Sequence, residues 1–160
     1  PKLQTTIFNG FELRTAVEPY TGGAYMHATA EKTPVTFITR YYLEAIKDLC
    51  DTHGTKLLLM TAPSPANHTM QRHNAVQALA DNLGVPYLDL NLNTEELGID
   101  WNLDTLDGGD HINYNGCRKV TVYLQQYLQA HYTLPDRRKD ARYEAWNKRA
   151  AEFEKLLPQT

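Results

Sequence analysis

The chain is poor in the residues that usually announce special chemistry. Among 160 residues there are two cysteines, Cys50 and Cys117, and a single serine, Ser64. Two cysteines at apolar helix positions exclude a disulfide framework and read as small buried residues. No CxxC pair, HExxH or phosphate-loop motif occurs, and His68 and His73, five apart, miss the i, i+4 face of a helical zinc site. No metal site is therefore expected. No apolar run approaches membrane-spanning length, and Pro1 opens the chain without a charged-then-apolar signal segment; if the parent protein is exported, its signal is expected outside these residues. There is also no excess of positive charge. A formal net charge of −3, with basic residues clustered only in mixed-sign form near the C-terminus, argues against a nucleic-acid partner and for small molecules or carbohydrates.

What remains is an ordinary globular composition, 42% hydrophobic and 22% charged, in a length that suits one domain with a sizeable core. Residues 1–33 carry Gly10, Pro19, Gly22 and Gly23 among aperiodic aromatics and read as an irregular or extended segment. After Pro34, Phe37, Ile38, Tyr42, Ile46, Leu49 and Cys50 mark the buried stripe of a helix closed by Gly54. Lys56–Pro63 is a short continuous apolar run, the pattern of a strand buried on both faces of a parallel sheet. Met70, Val76, Leu79, Ala80 and Leu83 give a second helix closed by Gly84, and Val85–Leu90 a second strand.

This αβαβ order predicts an α/β fold whose ligands gather beyond the carboxyl ends of parallel strands. Two strands are few for an open sheet, which commonly has about four to six. The sheet is expected to be completed by residues 1–33, by another chain, or by a longer domain of which 34–133 is the C-terminal part. Tyr143, Trp146, Ala150, Phe153 and Leu157 form the apolar stripe of a final helix within 134–160, expected to dock on the body.

Both strands end in polar groups, Thr61 and Ser64 on the first, Asp89 and Asn91 on the second. The loop Asp107-Gly-Gly-Asp-His-Ile-Asn-Tyr-Asn-Gly116 follows and sets His111 beside two carboxylates, ahead of a helix with Cys117, Val120, Leu124 and Leu128 at helical spacing. An imidazole is a general base near neutral pH when a carboxylate fixes its tautomer and steadies the imidazolium. Asp107 and Asp110 are both candidates for that carboxylate. Gly108 and Gly109 free the backbone to present the ring, and Asn113 or Asn115 can cap the helix. Asp89 either supports the histidine loop or caps its own segment. His73 and Asn74 face a cleft or the surface, and Asn67-His-Thr69 fits the glycosylation acceptor pattern.

Leu57–Ser64, Arg72-His-Asn74, Tyr87–Asn91, Asp107–Asn113 with Gly116 and Lys119, and Leu134–Arg138 with Tyr143 and Trp146, taken in this order, resemble the C-terminal half of SGNH/GDSL-type hydrolases. The likeness is greatest to a bacterial cell-surface branch related to alginate acetylation proteins. The resemblance implies a flavodoxin-like three-layer α/β sandwich at the cell surface or outside the cell. It also implies ester hydrolysis or acyl transfer on an acylated carbohydrate or small ester, without a cofactor. His111 matches the family's base. The usual Asp-x-x-His spacing falls on Gly108, so Asp107 is favoured as the orienting carboxylate over Asp110.

The family's nucleophile block, a Gly-Asp-Ser-like motif after its first strand, has no counterpart here. Ser64, between Pro63 and Pro65, reads as a substrate-side or turn residue, in company with Asp89, Asn91 and Asn113 as the other candidate substrate-binding residues. The serine is then expected from the N-terminal half of the same domain. The rival readings are a non-catalytic carbohydrate-binding or accessory module on the same scaffold, and an unrelated α/β domain whose 107–116 loop binds a ligand.

Overall fold

Thr36 ends the irregular N-terminal stretch by accepting the Thr39 backbone N–H at 3.2 Å, the side-chain cap that a helix start requires. In the computed structural model, which describes residues 11–157, helix α1 runs from there over Phe37–Thr52. Gly54, at φ +63°, supplies the left-handed residue that turns the chain out of it. Strand β1 is Leu59–Thr61. Thr69 caps α2, Met70–Leu83, and Gly84 at φ +63° closes it. Strand β2, Tyr87–Asp89, lies parallel to β1 in the register Leu59 to Tyr87, Met60 to Leu88 and Thr61 to Asp89. A parallel pair needs a crossover, and α2 is that crossover. Helix α3 covers Tyr114–His131, and a 3-10 turn at Ala141–Tyr143 leads into α4, Glu144–Glu154.

The fold is thus mixed α/β and mostly helical, four helices with a two-stranded parallel sheet among the described residues. Thr15–Tyr123 form one compact unit and the residues on either side another. The core of the larger unit is built from Ala75, Leu79 and Ala80 of α2, Val85, Leu88 and Leu90 around β2, Leu97, and Val120 of α3. In the smaller unit the rings of Phe11 and Phe153 meet edge to face at 5.8 Å. The final helix has no buried residue, and Trp146 is exposed.

Two expectations are corrected. Helix α1 forms, but its apolar stripe is not buried: Phe37, Ile38, Tyr42, Ile46 and Leu49 are all exposed, and the helix has no buried residue. Strand β1 is not covered on both faces either, since Met60 is exposed. Helical and strand spacing mark an apolar face without saying what covers it. Of the irregular N-terminal segment, residues 1–10 lie outside the described residues; 11–33 contain no helix or strand. They do not extend the sheet. Glu18 and Tyr20 donate backbone bonds to Thr105 and Trp101, Thr33 donates to Gln71, and Asn74 Nδ2 reaches the carbonyls of Thr29 and Glu31.

Candidate active site

The loop carrying His111 is closed at its base by an antiparallel bridge between Thr105 and Ile112 and by Leu106 N–H donating to the His111 carbonyl at 2.9 Å. Its tip needs both glycines. Gly108 and Gly109 sit at φ +70° and +102°, a region that strains residues with a Cβ. At Gly109 a Cβ would also fall 2.7 Å from Tyr20 Cδ2 and 2.9 Å from Pro65 Cγ. The tip is tied to its neighbours by Ala66 N–H to the Gly109 carbonyl at 3.1 Å and Ser64 Oγ to the Asp110 carbonyl at 2.7 Å. Because Ser64 and Ala66 lie just past the carboxyl end of β1, the tip stands at that rim of the sheet.

In this frame Asp107 grips His111 twice. Oδ1 accepts the backbone N–H and Oδ2 meets the imidazole Nδ1, both at 2.7 Å. Asp110 Oδ2 is farther from the same nitrogen, at 3.6 Å. Burial acts against the Asp107 charge, but the His111 N–H, the imidazole bond and its charge outweigh it and hold the carboxyl below its ordinary value. With Nδ1–H donated to Asp107, the neutral ring carries its lone pair on Nε2, and the side chain is 66% exposed. Donor atoms of Asp107, Asp110 and His111 all lie within 4.8 Å of one another, so this is also where the described residues could seat a cation. The hydrogen bonds account for the arrangement without one.

Beneath the rim lies a second arrangement that the sequence reading did not anticipate. Asp89 Oδ2 meets both His68 Nε2 and His73 Nδ1 at 2.8 Å, and Oδ1 accepts from Asn91 N and Nδ2 at 3.0 and 2.8 Å. Its side chain is 1% exposed. Burial opposes the charge, yet bonds from His68, Asn91 and His73 hold the carboxyl far below the usual carboxylate range. Asn91 passes the connection on, its Oδ1 accepting from Ser64 N at 2.8 Å and from the Tyr25 hydroxyl at 3.1 Å. Burial raises the Tyr25 and Tyr87 hydroxyls above their ordinary values, Asp89 adding to both. The His73 ring stacks on Tyr87, whose hydroxyl pairs with Thr61 Oγ1 at 2.8 Å.

The structure therefore brings Asp107, Asp110, His111 and Ser64 together at the rim and sets the other candidates deeper. Asp89, Asn91 and Asn113 are buried with their side chains bonded to their own chain, which gives them framework positions rather than an open substrate-facing surface. Asn113 Nδ2 donates to Leu103, Thr105 and Ala16 carbonyls at 2.8 to 3.1 Å, while its Oδ1 accepts from Asn115 and Gly116 at the start of α3. Asn67 Nδ2 is bonded to Asp110. His73 reads from the sequence only as a cleft or surface position, and His68 and Tyr25 carry no signal there, because folding alone brings the two histidines to Asp89 and Tyr25 to Asn91. A cavity of about 380 Å³ lies at the other rim, between Lys47, Lys56 and Pro86, away from His111. No family model, curated protein or solved structure matches the chain.

Proposed function

We propose that this chain carries the base and orienting carboxylate of an SGNH-like esterase or O-acyltransferase that acts on an acylated carbohydrate or cell-envelope polymer, on a flavodoxin-like scaffold at the cell surface. The observation that carries the reading is the exposed His111 ring held through Nδ1 by Asp107 at 2.7 Å, at the carboxyl rim of a parallel strand pair. In that role Nε2 takes the proton of a serine hydroxyl as the oxygen attacks the ester carbonyl, and Asp107 steadies the imidazolium. The acyl group passes to the serine, the alcohol leaves with the proton from Nε2, and water or an acceptor sugar reverses the sequence.

The serine comes from the N-terminal half of the same domain. Ser64 does not suit the part, being fixed between two prolines with its hydroxyl donated to the Asp110 carbonyl. A second reading, a carbohydrate-binding or accessory module without turnover, is favoured by one fact: Ser64 is the only serine in the chain.

The test is hydrolysis of p-nitrophenyl acetate. The 160-residue chain alone should be inactive, since loss of a triad nucleophile costs about 10⁶ in turnover. Joined to the polypeptide encoded ahead of it, the chain should become active, and His111→Ala should abolish that activity while Ser64→Ala largely keeps it. A joined protein that binds acylated sugar without turning it over would support the second reading. An isolated chain that turns over and is killed by Ser64→Ala would make Ser64 the nucleophile.

A further inference from the structure

The exposed side of α1 and the open edge of β1 belong to one surface problem. In the β1–β2 ladder Leu59 N–H donates to the Pro86 carbonyl and the Thr61 carbonyl accepts from Leu90, both at 3.0 Å. Alternate residues of a parallel strand serve opposite neighbours, so the backbone groups of Leu58 and Met60 point to the other edge. Among the described residues no strand pairs there. Helix α2 joins β1 to β2 and buries Ala75, Leu79 and Ala80. Helix α1 leads into β1 in the same way, with no strand before it among the described residues. The described residues ahead of α1, 11–33, form no strand, and the bonds of 18–33 run to α2, Asn91, Trp101 and Thr105 instead.

From this geometry we infer that α1 and the edge of β1 dock a strand-bearing segment of polypeptide outside these 160 residues, which extends the sheet parallel to β1. Crossover connections between parallel strands are right-handed and lay their helix over both strands, which places α1 over β1 and a neighbour on its open side. Size agrees. Phe37, Ile38, Tyr41, Tyr42, Ile46 and Leu49 are between 46% and 78% exposed. At roughly 200 Å² for each large side chain, they present roughly 700 Å², close to the roughly 800 Å² per partner of a stable interface. A second copy fits less well, because a two-fold contact through β1 would pair it antiparallel to itself and leave α1 without the strand it should cover. The inference deepens the proposed function and in part rests on it: the carboxyl end of a parallel neighbour would lie at the rim of Ser64 and His111, where a serine is wanted.

The probe is the polypeptide encoded in frame directly ahead of Pro1, made separately and mixed with the 160-residue chain. Sedimentation velocity should show a one-to-one complex, and hydrogen exchange at the Leu58 and Met60 amides should slow at least about ten-fold on binding. Tyr42→Glu with Leu49→Glu, at exposed positions, should weaken the complex at least about ten-fold, whereas His111→Ala should leave binding intact. A start codon directly ahead of Pro1, a monomer that does not bind the probe, or a complex without amide protection each overturns the inference. Self-association of the chain alone, abolished by the same double variant, would assign the surface to a second copy instead. A protected complex inactive on p-nitrophenyl acetate would sink the enzymatic reading and leave the docking surface standing; an active complex indifferent to the double variant would do the reverse.

Discussion

Asp89→Ala removes a buried carboxylate that accepts four hydrogen bonds, from His68, His73 and twice from Asn91. What it leaves behind is worse than what it takes away: two imidazoles and an amide lose their shared acceptor in a site too closed for water to replace it. Leaving a buried donor without its acceptor costs about 1–3 kcal/mol, and the donors from three residues here make the sum a large share of the roughly 5–15 kcal/mol that holds a domain together. A loss of about 4 kcal/mol at a urea slope of about 2 kcal/mol per molar lowers the midpoint by about 2 M.

Asp89→Asn should cost about half as much, because the amide oxygen still accepts from Asn91 and the NH₂ group can donate to imidazoles that switch tautomer. The pH dependence has a fixed sign. A carboxyl depressed in the folded state contributes stability that is full above its unfolded value of about 3.9 and is lost as pH falls toward the folded value. The gap between wild type and Asp89→Ala should therefore hold at neutral pH and shrink below about pH 4. Urea melts from pH 7 down to about pH 2 read both effects. A midpoint for Asp89→Ala within about 0.3 M of wild type, or a gap that persists undiminished to about pH 2, would refute the reasoning.

At the loop tip, Gly109→Ala should destabilise by about 2–4 kcal/mol, combining left-handed strain with the clash against Tyr20 and Pro65; Gly108→Ala, whose nearest neighbour is 3.5 Å away, should cost only about 1 kcal/mol. Equal losses in urea melts would contradict the packing argument. Asn113→Asp sets a carboxylate against three carbonyl oxygens and should cost about 3 kcal/mol or more, with a melting temperature near that of wild type as the contrary outcome. His111→Ala, at a largely exposed ring, should change stability by no more than about 0.5 kcal/mol, so that a large loss would mark His111 as a structural residue.

The elements with a covered face were the legible ones. Helix α2, with its Thr69 cap and Gly84 stop, and the Tyr87–Asp89 strand were readable because local signals and tertiary burial agree there. The same spacing in α1 produced a helix with the wrong surroundings, since periodicity reports an apolar face and is silent on its partner. Around His111 the sequence offered the loop, its glycines and two candidate carboxylates, all local within a few residues, while the preference for Asp107 came from the family resemblance. The sequence offered backbone freedom as the reason for both glycines, but not the packing of Tyr20 and Pro65 against Gly109, which is tertiary. Asp89 was left open between local capping and support of the histidine loop. In the structure Oδ1 holds Asn91 two residues on, the local role, while Oδ2 holds His68 and His73, which flank the Thr69 cap of α2, and not the loop of His111 itself.

Two imidazole–carboxylate arrangements thus share one rim, and burial separates their tasks. A base must meet its substrate, so the exposed His111 ring suits proton transfer while the enclosed His68–Asp89–His73 group does not. The enclosed group has a different use. From Asp89 the bonds run through Asn91 to the Ser64 backbone, and from Ser64 Oγ to the carbonyl of Asp110, the residue before His111. A loop tip with two adjacent glycines has little stiffness of its own, yet an error of about 1 Å at a catalytic group can cost about a hundred-fold in rate. Anchoring the tip to a buried, fully bonded carboxylate supplies the stiffness that the glycines give up, and it does so without burying the ring.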